Sequence, residues 1–156
     1  MALKRLALKM LIVDDQPSVA EGLKAGIRWE TLGIDEVYTA YHAARAREIL
    51  QSDKIDILLC DIEMPMESGL ELYRWIMKTG IHLCCIFLTG HAEFSYAQEA
   101  IKLGAFDYVL QPADYGDVKQ VVGRGVEKIE WERGMKQILT MGEVFHENKK
   151  SIVGNA

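Results

Sequence analysis

The chain has 156 residues, a length that suits one domain with at most an appendage and that can bury a substantial core. Hydrophobic residues make up 49% and charged residues 26%, and the net charge of -5 speaks against a basic nucleic-acid-binding or anionic-membrane surface. No apolar stretch approaches the roughly 20 residues of a membrane span, and the start of the chain meets Asp14 and Asp15 too soon for a secretory signal; a cytoplasmic location is expected.

Along the chain, short apolar runs alternate with segments of helical period. Leu8 to Val13 reads as a strand stopped by Asp14 and Asp15. Pro17 to Ile27 follows as a helix, with Pro in its first turn and Val19, Leu23 and Ile27 at four-residue spacing. Gly33 marks a turn, and Glu36 to Tyr41 is a less apolar strand, as at a sheet edge. Ala43 to Leu50 is a short helix. Ile55 to Cys60 is nearly all apolar, the pattern of a central parallel strand covered on both faces, and Asp61 closes it. Ser68 to Lys78 is a helix burying Leu72, Trp75 and Ile76 and ended by Gly80. Leu83 to Leu88 is a fourth strand, Phe94 to Leu103 a helix stopped by Gly104, and Asp107 to Leu110 a fifth strand. Cys60, Cys84 and Cys85 lie in apolar runs and read as buried, reduced thiols; neighbours on a strand point to opposite faces, which argues against a Cys84–Cys85 disulfide.

A last helix begins near Asp114 and packs Val118, Val121, Val122, Val126 and Ile129. Beyond it, Trp131, Met135, Ile138, Gly142 and Phe145 repeat at alternating four and three residues, the spacing of a coiled-coil seam. Gly123, Gly125 and Gly134 weaken that helix, and Gly142 sits on the seam. Three readings stay open for residues 130–156: an extension that pairs with a partner, a linker, or a helix folded back on its own domain. The polar tail from His146 to Ala156 is expected to be mobile.

Five strands alternating with five helices imply an α/β fold, a five-stranded parallel sheet wound on both faces, since right-handed crossovers leave few other topologies. Ligands of such sheets bind beyond the carboxyl ends of the strands, where the winding reverses. Asp14, Asp15, Asp61, Thr89 and Gln111 all lie at or just past such an end. Taken singly, Asp14 capping a helix or Asp61 capping a turn is ordinary. Together they suggest a divalent-metal pocket. Mg2+ takes one or two carboxylates and keeps several waters; Asp15, Asp61 and a backbone carbonyl near Glu63 would leave positions for water and a phosphoryl group. A carboxylate beside such a metal can attack phosphorus and form an aspartyl-phosphate, and the Thr89 hydroxyl could reach a phosphoryl oxygen.

Four segments then carry a resemblance. Leu11-Ile12-Val13-Asp14-Asp15-Gln16-Pro17, Asp61-Ile62-Glu63-Met64-Pro65 with Gly69, Leu88-Thr89-Gly90 and Tyr108-Val109-Leu110-Gln111-Pro112 resemble the receiver domain of bacterial two-component response regulators. The resemblance covers roughly Leu8 to Ile129, giving a receiver over residues 7–129 and a helical extension or linker with a polar tail over 130–156. It implies the flavodoxin-like (βα)5 fold with strand order 2-1-3-4-5. It also implies Asp61 as phosphoacceptor, Asp14, Asp15, Asp61 and the Glu63 carbonyl as the Mg2+ pocket, and Thr89 and Tyr108 as a switch pair. A sensor histidine kinase would be the phosphoryl donor. The domain would catalyse only its own phosphorylation and dephosphorylation. Receivers of this kind often dimerise, here through the Phe94 to Leu103 helix face or the extension. Segments 27–33 and 93–104 look like a subgroup often joined to AraC-type DNA-binding domains, so contact with DNA is expected only through such a module and not from this chain.

Gln111 departs from the pattern, which has lysine before a proline whose peptide bond is typically cis. A neutral amide replaces a cation at the phosphoryl oxygens. Charge-assisted hydrogen bonds are worth roughly 1.5–3 kcal/mol against about 1 for neutral ones, so the exchange costs on the order of 1 kcal/mol, about tenfold in a rate. Phosphorylation is expected to be slow and switching weak. Two alternatives stand beside this reading. One is a receiver-like interaction domain that works without phosphorylation. The other is a haloacid-dehalogenase-like phosphatase, against which stand Glu63 in place of a second Asp and the lack of a substrate-capping insertion.

Overall fold

A computed structural model describes residues 7–90 and 94–153, and within the last helix it describes no side chain at 137 or 139–153. The order of elements is β1 (Leu8–Val13), α1 (Pro17–Gly26), a 3-10 turn (Trp29–Leu32), β2 (Ile34–Ala40), α2 (Ala43–Ser52), β3 (Ile57–Asp61), α3 (Gly69–Thr79), β4 (Cys84–Thr89), α4 (Phe94–Lys102), β5 (Asp107–Leu110) and α5 (Tyr115–Val153). The strands form one parallel sheet in the order β2-β1-β3-β4-β5, as expected.

Period-two alternation divides the buried side chains between two faces. Leu11, Val13, Leu58, Cys60, Cys85 and Phe87 join one hydrophobic cluster with residues of α2, α3 and α4, such as Ala46, Ile49, Leu72, Ile76, Ala97 and Ala100. Their strand neighbours Met10, Ile12, Ile57, Leu59, Ile86 and Leu88 are equally buried and point the other way. On that side Gly125 of α5 lies so close to the sheet that an added Cβ would come within 2.9 Å of Cys84 Sγ and 3.6 Å of Ile86. Tyr115 lies over Gly22 and Gly26 of α1. Covered on both faces, β3 is buried throughout except at its last residue. Cys60, Cys84 and Cys85 are all free and buried, as expected.

Several boundaries differ from the sequence expectation, each for a visible reason. A 3-10 turn, unforeseen, brings Trp29 into the core, where its indole N–H donates to the Leu23 carbonyl at 3.1 Å. Gly33 ends that turn at φ 83, and Leu8 pairs with Ile34, so β2 starts two residues earlier than expected and ends at Ala40. β3 begins at Ile57 because Asp56 turns its carboxylate to the Lys9 amide at 2.9 Å. At the other end Asp61 still pairs with Leu88, so it is the last residue of the strand, not the first beyond it. α3 is capped by Ser68, whose hydroxyl accepts the Glu71 amide at 3.1 Å, and closed by Gly80 at φ 77.

The chain divides into two compact units, Met1–Val126 and Glu127–Ala156. In the first, α5 buries Val118, Val122 and Val126. In the second, α5 continues to Val153, so the tail expected from His146 is helical through that residue. Trp131 and Ile138 of this unit are 66% and 61% exposed, and Lys128 pairs with Glu132 one turn on at 3.5 Å. The start of the chain (residues 1–6), Glu93 of the α4 segment, the side chain of Phe145 on the seam and the last three residues of the tail lie outside the described residues.

Candidate phosphoryl-acceptor and metal site

Parallel pairing brings the ends of β1, β3, β4 and β5 to one rim. There Asp15, Asp61, Glu63, Thr89 and Gln111 line a single cleft. Gln16, Met64, Pro65 and Gly90 line it too, and residue-by-residue reading had assigned them no part. Their signal is position: each is adjacent in sequence to a singled-out residue or one beyond.

Asp14 lies deeper. It is 4% exposed, and its Oδ1 accepts the Gln16 amide at 2.9 Å, which fixes the turn into α1. Burial pushes its carboxyl up; the Gln16 hydrogen bond works the other way, and the charge of Asp15 adds to the rise. Asp61 is pushed from 3.8 to about 7, first by burial and then by the charge of Asp14, partly offset by the Glu63 amide that donates to Asp61 Oδ1 at 3.3 Å. One oxygen from each of Asp14, Asp15 and Asp61 lies within 4.8 Å of the other two. Ligands of an octahedral Mg2+, at roughly 2.1 Å from the ion, sit about 3–4 Å apart, so this triad fits such a cation with little movement. Like charges held this close, with Asp61 forced toward its protonated form, are the arrangement a divalent cation relieves.

The remaining side chains divide between those in the cleft and those beside it. Thr89, 1% exposed, directs its hydroxyl to the Gly90 carbonyl at 3.2 Å, and its own carbonyl accepts the Gln111 amide at 2.8 Å. Gln111 precedes a cis peptide bond to Pro112. Tyr108 is absent from the cleft lining. Its ring instead meets Phe94 of α4 edge-on, centroids 5.7 Å apart. Gly69 holds the rear of the site closed: its amide donates to the Ile62 carbonyl at 2.8 Å, and an added Cβ would lie 2.2 Å from the Asp61 carbonyl oxygen.

Known proteins share this fold. Residues 10–123 match the family model for the response regulator receiver domain. The chain is 31% identical over 123 residues to the transcriptional regulatory protein HptR of Staphylococcus aureus, covering 78% of this chain and 47% of that protein. It is 33% identical over 106 residues to the uncharacterized transcriptional regulatory protein YesN of Bacillus subtilis, covering 68% of this chain and 29% of that one. The chain thus spans less than half the length of these two curated relatives. Among solved structures, the receiver (REC) domain of AraT, a response regulator from Geobacillus stearothermophilus, is 35% identical with a TM-score of 0.76, covering 82% of this chain and 99% of that one. A two component transcriptional regulator AraC from Clostridium phytofermentans is 30% identical, with a TM-score of 0.76 over 81% of this chain and 98% of that one. With its five-stranded sheet and acidic rim, the chain belongs to the response regulator receiver domain family.

Proposed function

We propose that this receiver accepts a phosphoryl group on Asp61 from the phosphohistidine of a sensor histidine kinase. The observation that carries the reading is the Asp14, Asp15 and Asp61 oxygen triad at the mouth of the sheet. A carboxylate oxygen of Asp61 attacks phosphorus, the P–N bond to the imidazole breaks, and the histidine leaves as the new P–O bond closes. Asp14, Asp15, Asp61 and the Glu63 carbonyl would hold Mg2+. When bound, the ion neutralises charge on the carboxylates and the phosphoryl oxygens. Burial and, after it, the charge of Asp14, which Gln16 fixes in place, raise the Asp61 carboxyl. A rotation that releases the Thr89 hydroxyl from the Gly90 carbonyl would free it to meet a phosphoryl oxygen. The Gln111 amide supplies a neutral donor where a cation is the family's pattern. We further propose that Thr89 and Tyr108 act as a switch pair, with Tyr108 leaving Phe94 as α4 moves.

The receiver is assigned to residues 7–129 and the helical extension to 130–156. The α4 face and the extension are the candidate surfaces for a second copy. Two relatives are called transcriptional regulatory proteins, which supports an output in transcription, in the cytoplasm, with DNA contacted by a module other than this chain. No described helix is long and apolar enough to cross a membrane. Intact-mass measurement after incubation with acetyl phosphate and Mg2+ tests the central claim. Slow gain of one phosphoryl group, lost in Asp61→Asn, is expected; no gain at any time refutes it. That refuting outcome would favour an interaction domain working without phosphorylation, the reading to which Gln111 in the cleft lends support.

A further inference from the structure

The loop from β3 to α3 carries Glu63 and lines one wall of the cleft, and its first turn is tied by the Glu63 amide, which donates to Asp61 Oδ1 at 3.3 Å. Met64 is buried, and Gly69 pins the far end to Ile62. Between them the chain turns back on itself, with the Glu67 amide donating to the Pro65 carbonyl at 2.8 Å. The turn places Met66 at φ 71, a left-handed backbone that is uphill for any residue with a Cβ and persists only where surroundings hold it. Met66 cannot hold itself, because its side chain is fully exposed. The residue beside it can. Glu67 forms an ion pair with Arg47 of α2, and the Arg47 guanidinium stacks 5.0 Å from the centre of the Trp75 ring on α3. Both members of the pair are half-buried, at 36% and 25% exposure, so water screens them less than it screens a fully exposed pair. Arg47 Nε is buried without a hydrogen-bond partner, which leaves the orientation of the head group to Glu67 and the ring.

We propose that Arg47 is a positioning residue for the site: by clamping Glu67 against α2 and α3 it sets the conformation of residues 63–68, and with it the Glu63 carbonyl that would ligate Mg2+. This rests on the reading of that carbonyl as a Mg2+ ligand. Residues behind the ligands of a metal site commonly govern affinity by 10–100-fold. Arg47 does so through backbone conformation, since its contacts are to Glu67 and Trp75 rather than to Asp14, Asp15 or Asp61. A lysine in its place retains the charge but loses the planar face that stacks on Trp75.

The test compares wild type with Arg47→Met, Arg47→Lys and Glu67→Gln in two measurements. Calorimetric titration with Mg2+ alone should give a Kd raised about tenfold in Arg47→Met and Glu67→Gln, with Arg47→Lys between these and wild type. Hydrogen–deuterium exchange without metal should speed up at residues 63–68 and stay unchanged in β1 and β4. The double variant Arg47→Met/Glu67→Gln should be no worse than either single one. Wild-type Kd and wild-type loop exchange in both Arg47→Met and Glu67→Gln would overturn the proposal. So would faster exchange spread evenly over the sheet, which marks a general stabilising role. If Arg47→Met does not fold, Glu67→Gln on the surface loop decides alone. Wild type that binds no Mg2+ defeats the metal reading, and the exchange measurement still decides the clamp.

Discussion

Replacing Asp61 by Asn should make the metal-free protein more stable, and the gain should depend on pH. The carboxyl stands at about 7 in the folded chain against 3.8 ordinarily. At about 1.4 kcal/mol for each pH unit of that gap, the ionised form is disfavoured by about 4 kcal/mol before screening. Asp61 is only half-buried, and solvent screening brings the figure to roughly 2 kcal/mol. Because the folded value is raised, the penalty is absent below about pH 4, where folded and unfolded chains both carry the proton. It grows as pH rises from there, since the unfolded chain releases a proton that the folded one keeps, and it is complete above about pH 7. Asn is nearly isosteric and carries no charge at any pH. For a chain of this length 1 kcal/mol corresponds to roughly 2–4 °C in Tm. Asp61→Asn should therefore melt about 4–8 °C above wild type at pH 8 in EDTA, with the gap about two-fifths as large at pH 5. Thermal unfolding followed by circular dichroism at the two pH values measures it. An Asn variant no more stable than wild type at pH 8, or a gap that ignores pH, would show that the acidic cluster is not the source of strain.

Other outcomes follow from the same geometry. At pH 8, Mg2+ at 100 times its Kd should stabilise wild type by about 2.7 kcal/mol, and the Tm rise should largely vanish in Asp15→Asn. Gln111→Lys should speed phosphorylation of Asp61 by acetyl phosphate about tenfold, measured by intact mass; an unchanged rate would mean that residue 111 does not meet the phosphoryl group. Gly69→Ala, whose Cβ would strike the Asp61 carbonyl at 2.2 Å, should cost about 2 kcal/mol or more in urea unfolding. Gly26→Ala would place a methyl 2.2 Å from the Tyr115 ring. Its destabilisation should shrink when Tyr115→Ala is added, because the obstacle is a side chain that the second change removes.

The sheet was legible from sequence because its signals were local. Runs such as Leu58-Leu59-Cys60 need no partner to be recognised, and the acids that stop them mark the carboxyl rim directly. The ends of strands were less legible, because pairing sets them. Asp61 belongs to β3 only because Leu88 continues the ladder beside it, and β2 starts at Ile34 because Leu8 lies across from it. The 3-10 turn was missed since Trp29 in a polar stretch has no periodic partner; its burial depends on the Leu23 carbonyl six residues back. In the site, sequence order brought Asp14, Asp15, Asp61, Thr89 and Gln111 to one place. It could not bring Arg47 to Glu67, twenty residues apart, or reveal Met66 in a left-handed turn. Nor could it foretell that Tyr108 turns aside to Phe94.

Two of the three thiols give the fold a clock. Cys60, next to Asp61, and Cys85, one strand over, are buried and pushed well above the ordinary thiol range. In the closed protein neither offers the thiolate that an alkylating reagent needs. Each labelling event therefore records a moment when the sheet has parted at that strand, and the rate reports how often it does so. Cys60 times openings at the acceptor strand itself, with no probe attached to the site.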